Sequence, residues 1–290
     1  MNPDDSLTAR LAAEMAIRPL STQDFEQICR LAYRSFGLDL KAGKEELVSA
    51  RLGRLVRDGG FRSFQEYIRY IAAEPTGVAL ASMIDALATN HTAFNREPAH
   101  FDFLRSDLVP QMARRDTVEV WSAACSTGEE AWTLAFLLND LLAPRQVRIA
   151  ASDISTRALR FAERAVYPAD RCQEVGPMWM NRYFEPFEGP QPAWRVAARV
   201  RSQATFRRLN LVERYAWPRR FPIIFCRNVM IYFDSATQAE VVRQLTEWLE
   251  PGGYLLIGHA DSLARISHTL EYVRPSIYRK PAEKEWKWRR

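Results

Sequence analysis

At 290 residues, with 47% hydrophobic and 26% charged residues, the chain is long enough for one large or two ordinary globular domains with an ample buried core. No apolar run reaches the length of a membrane span, and the opening M-N-P-D-D-S-L-T-A-R lacks both the basic and the apolar regions of a signal peptide. The net charge of +5 rests on 40 basic residues, only five of them lysine, and suits an acidic partner, nucleic acid or protein, without choosing between them.

Residues 1–16 read as a loose arm. From 17 to 88 every segment reads helical. Ser21 and Asp24 form a capping box, and Phe25, Ile28, Ala32 and Phe36 follow at helical spacing until Gly37. A second helix starts near Lys44 and carries Val48, Leu52 and Leu55 on one side. A third starts at Ser63, with Glu66 completing a second capping box. Pro75-Thr76-Gly77 breaks the chain, and Leu80, Ile84 and Leu87 mark a fourth helix. On the second helix Arg51, Arg54 and Arg57 step by three, a spacing that fits either a solvated polar face or a docking strip for an acidic helix.

Residues 89–115 form a linker whose opening, T-N-H-T-A-F-N-R-E-P-A-H-F, is too polar and too aromatic for a plain helix continuation. From 116 to 280 the pattern alternates. Strands are expected at Val118 to Ala123, Val147 to Ser152, Pro222 to Cys226 and Tyr254 to Gly258, with helices at Glu129 to Leu142, Ser155 to Val166 and about Ser235 to Leu249. Strands separated by helices imply an α/β fold, doubly wound on a mainly parallel sheet, with a last strand near Ser276 to Arg279 pairing antiparallel. Between these elements lies an irregular stretch with five prolines, read as a small β-rich insertion at about 168–207 that includes the alternating segment Arg195 to Phe206. Residues 281–290 read as a frayed tail. Cys29, Cys125, Cys172 and Cys226 lie far apart and form no C-x-x-C, so neither a metal nor a disulfide framework is expected, and a reducing cytoplasm is the natural setting.

The chemistry concentrates at strand ends, where ligands bind in open α/β sheets. The run V-E-V-W-S-A-A-C-S-T-G-E-E-A passes from strand through a tight turn into a helix. Phosphate cradles use several glycines and bare N–H groups, whereas this turn has one glycine and two carboxylates in the first helical turn. A pyrophosphate is repelled there and a cationic or zwitterionic ligand is welcome. Asp153, in A-A-S-D-I, ends the second strand and serves either ribose hydroxyls or the next helix as N-cap. Asn210-Leu211 offers an amide beside an apolar side chain, suited to an adenine edge and face. The run C-R-N-V-M-I-Y-F-D ends the central strand with Arg227, Asn228 and Tyr232.

Taken in order, T-N-H-T-A-F-N-R-E-P-A-H-F, V-W-S-A-A-C-S-T-G-E-E, A-A-S-D-I, L-N-L, I-F-C-R-N-V-M-I-Y-F-D and P-G-G-Y-L-L-I-G-H resemble the motifs of the CheR-type chemotaxis-receptor glutamate methyltransferases, over nearly the whole chain from about 20 to 280. The resemblance implies a Rossmann-like methyltransferase domain behind an all-helical N-terminal domain. It also implies transfer of a methyl group from S-adenosylmethionine to receptor glutamates, giving the 5-methyl ester and S-adenosylhomocysteine. Carried over position by position, the cofactor falls to Asn90, Thr92, Arg96, Glu130, Asp153, Asn210, Leu211, Arg227 and Asn228, and the reacting centre to Arg96 and Tyr232. Arg51, Arg54 and Arg57 become a docking strip for acidic receptor helices. The implied partner is the cytoplasmic part of a chemoreceptor, met by a cytoplasmic monomer with no nucleic acid, membrane insertion or metal. Three positions depart from the family pattern: Asn95 replaces a second Phe, Ala131-Trp132 replaces Pro-Tyr, and G-H-A-D at Gly258 to Asp261 replaces G-H-S-E. A non-catalytic cofactor-binding sensor or adaptor is the competing reading, supported by Asn95 and opposed by the intact Arg96 and Tyr232.

Overall fold

A computed structural model describes residues 18–112, 114–142 and 146–282. The arm at 1–16 and most of the 281–290 tail fall outside these residues. The chain divides into two compact units between Thr89 and Asn90.

The first unit is helical, with helices Thr22–Phe36, Glu45–Asp58, Phe64–Ala73 and Val78–Leu87. Ser21 forms a true capping box, its hydroxyl accepting from the Asp24 amide while Asp24 accepts from the Ser21 amide, and Gly37 ends the helix in the left-handed region. Ser63 caps the third helix in the same way, but Glu66 turns back to the Arg62 amide instead of closing the box. Phe25, Ile28, Val48, Leu52, Ile71, Ile84 and Leu87 are buried in this bundle as the helical spacing predicts, whereas Leu55 and Leu80 are half-buried and Val56 and Met83 take the buried places beside them.

The second unit carries a seven-stranded sheet in the order β6-β2-β1-β7-β8-β10-β9. Its parallel members are β1 (Thr117–Ala123), β2 (Gln146–Asp153), β6 (Ala204–Arg208), β7 (Phe221–Cys226) and β8 (Leu249–Ile257). The antiparallel members β9 (Glu271–Arg274) and β10 (Ile277–Arg279) complete one edge. Helices Glu129–Leu142, Thr156–Arg164 and Ser235–Trp248 are the crossovers. β7 is buried at every residue and β1 at five of seven, including its last four, the near-continuous buried run expected of parallel strands covered on both faces. The chain winds from β1 to β2 and β6 on one side, then returns to β7 and β8 on the other. The switch point therefore lies beside the carboxyl end of β1, where open α/β sheets form their ligand crevice.

The structure differs from the sequence reading in two stretches. Residues 98–112 are helical, as Pro98–Phe103, a π-helical segment Leu104–Leu108 and Val109–Met112, where the sequence reads as linker. The alternating segment Arg195 to Phe206 is divided. Its start completes a small antiparallel sheet, β3-β5-β4, from β3 (Val166–Pro168), β4 (Phe184–Phe187) and β5 (Ala193–Val196). Its end is β6, which joins the large sheet with Ile149 opposite Ala204 and Asp153 opposite Arg208. Alternation marks a strand with one wet face, which suits an edge strand of the main sheet as well as an insertion.

Candidate functional site

The turn after β1 is held in a strained shape from several sides. Ala124, Ser126 and Gly128 all adopt left-handed backbone, with φ of 63°, 51° and 93°. The Cys125 amide donates to the Ser152 carbonyl at 2.9 Å and the Ser126 amide to Asp153 Oδ2 at 2.8 Å. Gly128 is required by space as well as by φ, since a Cβ there would stand 2.7 Å from the Ala162 Cβ. At the helix start the two carboxylates part company. Glu129 is fully buried and paired with Arg171, which also donates to Thr127 Oγ1. Glu130 turns to the crevice, where its carboxylate accepts from Ser122 Oγ at 2.6 Å and from Arg227 at 3.1 Å.

Arg227, at the tip of β7, is 2% exposed in its side chain: one terminal nitrogen bonds Glu130, the other Glu97 at 2.9 Å and the Arg96 carbonyl at 2.5 Å. Asn228 sits in the left-handed region with φ 57°, a conformation asparagine tolerates. Its side chain donates to Glu97 Oε1 at 3.0 Å and its amide to Asp261 Oδ2 at 2.6 Å. Asp261 also accepts from the amides of Gly258 and Ile231, so one carboxylate clasps the loops after β7 and β8. Glu97 Oε2 takes the His259 amide at 3.2 Å as well.

Arg96, Glu97, Glu130, Arg227 and Asn228 thus form one connected network. Asp153 joins it through the Ser126 turn. Asp153 is not the N-cap of the next helix: Ser155 holds that place, its hydroxyl accepting from the Ala158 amide, while Asp153 accepts from the amides of Ser126 and Ser155. Asn210 and Leu211 follow β6, one strand beyond β2, and are buried; the Asn210 side chain bonds Glu213. Asn90 and Thr92 lie half-buried on the irregular stretch before Arg96, whose guanidinium is anchored on the His91 carbonyl at 2.7 Å. Tyr232 is half-buried in the turn Met230–Tyr232 after β7. Asn95 has φ 54° and its amide donates to Thr133 Oγ1, so a residue at home in left-handed backbone occupies this turn beside Arg96.

In the helical unit the three arginines are not equivalent. Arg51 reaches the Leu87 carbonyl and Thr89 Oγ1, closing the end of the Val78–Leu87 helix, whereas Arg54 and Arg57 are exposed and Arg54 pairs with Asp58.

Two carboxylates of the network, Glu97 and Asp261, have no site role in the sequence reading, where Asp261 enters only as a departure from the family pattern. The available signal was position, since Glu97 adjoins Arg96 and Asp261 follows the tip of β8.

Burial and charge act differently along the network. Burial pushes the Glu130 carboxyl up, against the opposing Arg227 charge. A cation bound beside it favours the ionised form, which makes Glu130 selective for positive ligands. Burial also works to raise Glu97, but the Asn228 hydrogen bond and the Arg227 charge outweigh it and hold the carboxyl at about 2. Burial, then Arg227, lower His100 to about 4. A histidine with a depressed folded pKa contributes stability that is complete above its ordinary value of 6.5 and is lost as pH falls toward 4. Glu97 extends the loss from about 4.5 toward 2. Urea unfolding is therefore expected to show about 2 kcal/mol less stability at pH 5 than at pH 7 from His100 alone. His100→Gln should flatten that interval, and a wild-type curve already flat from pH 7 to 5 contradicts it.

The site has the features of a cradle for a cation-bearing nucleotide without phosphates: one glycine, the half-buried Glu130 carboxylate at the first helical turn, and an acidic residue at the tip of the neighbouring strand. S-Adenosylmethionine fits that donor set. Residues 23–88 match the family described as the CheR methyltransferase all-alpha domain, and residues 90–278 match the CheR methyltransferase S-adenosylmethionine-binding domain. The chain is 38% identical to a chemotaxis protein methyltransferase of Klebsiella aerogenes, covering 94% of each. It is 36% identical to chemotaxis protein methyltransferase 2 of Pseudomonas aeruginosa, over 88% of this chain and 92% of that protein. It is 32% identical to the chemotaxis protein methyltransferase of Borreliella burgdorferi, over 90% and 95%. Among the described residues no helix is long and apolar enough to cross a membrane.

Proposed function

The chain belongs to the CheR methyltransferase family and carries its S-adenosylmethionine-binding domain, and we propose that it esterifies glutamate side chains on the cytoplasmic helices of bacterial chemoreceptors, forming 5-methyl esters. The observation that carries the cofactor's placement is Glu130, a half-buried carboxylate fixed by Ser122 and Arg227 at the mouth of a single-glycine turn. Glu130 then faces the methionyl ammonium, Asp153 and Asn210 the adenosine, and Leu211 packs on its face, with Asn90, Thr92, Arg227 and Asn228 completing the shell.

The bound cofactor supplies an electrophilic methyl on a cationic sulfur. The substrate glutamate is ionised at neutral pH, from a reference pKa of about 4.3, so no general base is needed. Attack of a carboxylate on that methyl annihilates charge, so the protein contributes alignment and exclusion of water. Arg96 is assigned the orienting role and Tyr232 the wall of the reacting centre. Arg54 and Arg57 are assigned to docking of the acidic receptor helix, with Arg51 supporting the helix end behind them. The protein acts as a cytoplasmic monomer in this reading.

The test is methyl transfer from labelled S-adenosylmethionine to a chemoreceptor cytoplasmic fragment. Base-labile label released as methanol is expected, and Arg96→Ala should lower kcat/KM by roughly 100-fold through lost alignment. Cofactor binding without base-labile label on any matched receptor overturns the substrate assignment.

A further inference from the structure

Glu97 is a heavily engaged carboxylate that no cofactor or catalytic assignment covers. Three donors meet it: Asn228 Nδ2 at 3.0 Å, Arg227 Nη2 at 2.9 Å and the His259 amide at 3.2 Å, with His100 Nδ1 a further 3.5 Å neighbour. Glu97 opens the Pro98–Phe103 helix yet makes no capping bond, and its backbone is left-handed at φ 58°. Such a conformation costs about 1 kcal/mol or more in a non-glycine residue and persists where the surroundings enforce it. The enforcement is visible here, because the side chain is turned to the tips of β7 and β8.

The consequence follows from how Arg227 divides its fork. One nitrogen serves Glu130 and the other serves both Glu97 and the Arg96 carbonyl. A guanidinium is rigid and planar, so fixing one nitrogen fixes the direction of the other. Resting on the cofactor assignment above, we propose that Glu97 is the positioning residue of the methyl-transfer site: it orients the Arg227 fork so that the Glu130 carboxylate and the Arg96 main chain are presented together. Glu97 touches neither cofactor nor substrate and acts through Arg227 and Asn228.

A metal reading of the same residues is the weaker one. Ligand atoms of Glu97, His100 and His259 lie within 4.8 Å of one another. Both Glu97 oxygens already accept hydrogen bonds, and a divalent ion on them would stand beside the Arg227 guanidinium. Arg227 supplies the positive charge at this carboxylate.

The test uses the full chain and S-adenosylhomocysteine as the probe, titrated calorimetrically against the wild type, Glu97→Gln, Glu97→Asp, Arg227→Lys and the double variant Glu97→Gln/Arg227→Lys. Glu97→Gln is expected to weaken binding about 10-fold, and the double variant to bind no more weakly than Arg227→Lys alone, since the two act as one unit. Glu97→Asp keeps the charge and should recover most of the affinity, which a role limited to stability does not predict when melting temperatures match. Unchanged affinity in Glu97→Gln overturns the proposal, as does a double variant in which the two losses multiply. If Glu97→Gln fails to fold, an Asp variant that folds with wild-type stability yet binds as weakly as Arg227→Lys also overturns it. Failure of the wild type itself to bind the probe refutes the cofactor site and not the role of Glu97 alone.

Discussion

Arg227→Met is expected to destabilise the protein by about 3–5 kcal/mol and to abolish measurable cofactor binding at micromolar concentrations. The side chain is 2% exposed and stands between Glu97 and Glu130, which are 14% and 11% exposed. Removing it leaves two carboxylates in a dry environment with one cation fewer, and the Arg96 carbonyl without its donor. For a chain of this length the loss corresponds to a fall in Tm of roughly 10 °C. The binding loss has a separate origin. Without Arg227 only the Ser122 hydrogen bond opposes the upward push of burial on Glu130, so the carboxyl is pushed further up and its attraction for an ammonium group weakens. Arg227→Lys should lie between, since a point charge on a flexible stem cannot serve three acceptors in fixed directions. Differential scanning fluorimetry and calorimetric titration read the two effects separately. A Met variant with wild-type Tm and affinity contradicts the network described above.

Gly258→Ala is expected to leave the fold standing and to weaken cofactor binding by roughly 100-fold, the scale associated with displacing a site by an ångström. The reason is space. A Cβ at this position would lie 2.4 Å from Asn228 Nδ2, 2.6 Å from the Asn228 amide nitrogen and 2.7 Å from its Cγ. The side chain cannot simply swing away, because the backbone nitrogen is itself in contact and is bonded to Asp261. Either the β7 tip or the β8 tip must retreat, and both carry the Asp261 clasp. Overpacking of this kind costs about 1–3 kcal/mol, so melting should shift only modestly while affinity drops sharply. A variant that binds S-adenosylhomocysteine normally would show that the Asn228 loop lies outside the site.

Much of the fold was legible because it depends on local pattern. The Glu129–Leu142 helix, the Ser21 cap and the strands at β1 and β7 follow from periodicity, capping chemistry and unbroken apolar runs. Asp153, Arg227 and Asn228 at strand ends, with Glu130 at the start of the helix after β1, could be picked out as a candidate set because the topology rule sends ligands to that edge. What the sequence hides is the division of labour among charges. Arg227 looks like a ligand donor on the page of letters, but its hydrogen bonds and ion pairs run to Glu97, Glu130 and Arg96, residues 97 to 131 positions away. Arg51, one of three evenly spaced arginines, closes a helix end through Leu87 and Thr89. Residues 204–207 change sheets for a similar reason, since alternation reveals one wet face and not which neighbour covers the other. Each of these depends on long-range partners that spacing cannot encode.

The most direct test of the account is a crystal structure of the full chain with S-adenosylhomocysteine. Ligand density is expected in the crevice beside the carboxyl ends of β1, β2 and β7, with the ligand's amino group on the Glu130 side and its ribose against Asp153. Density elsewhere on the protein, away from Glu130, Asp153 and the Arg227 loop, contradicts it.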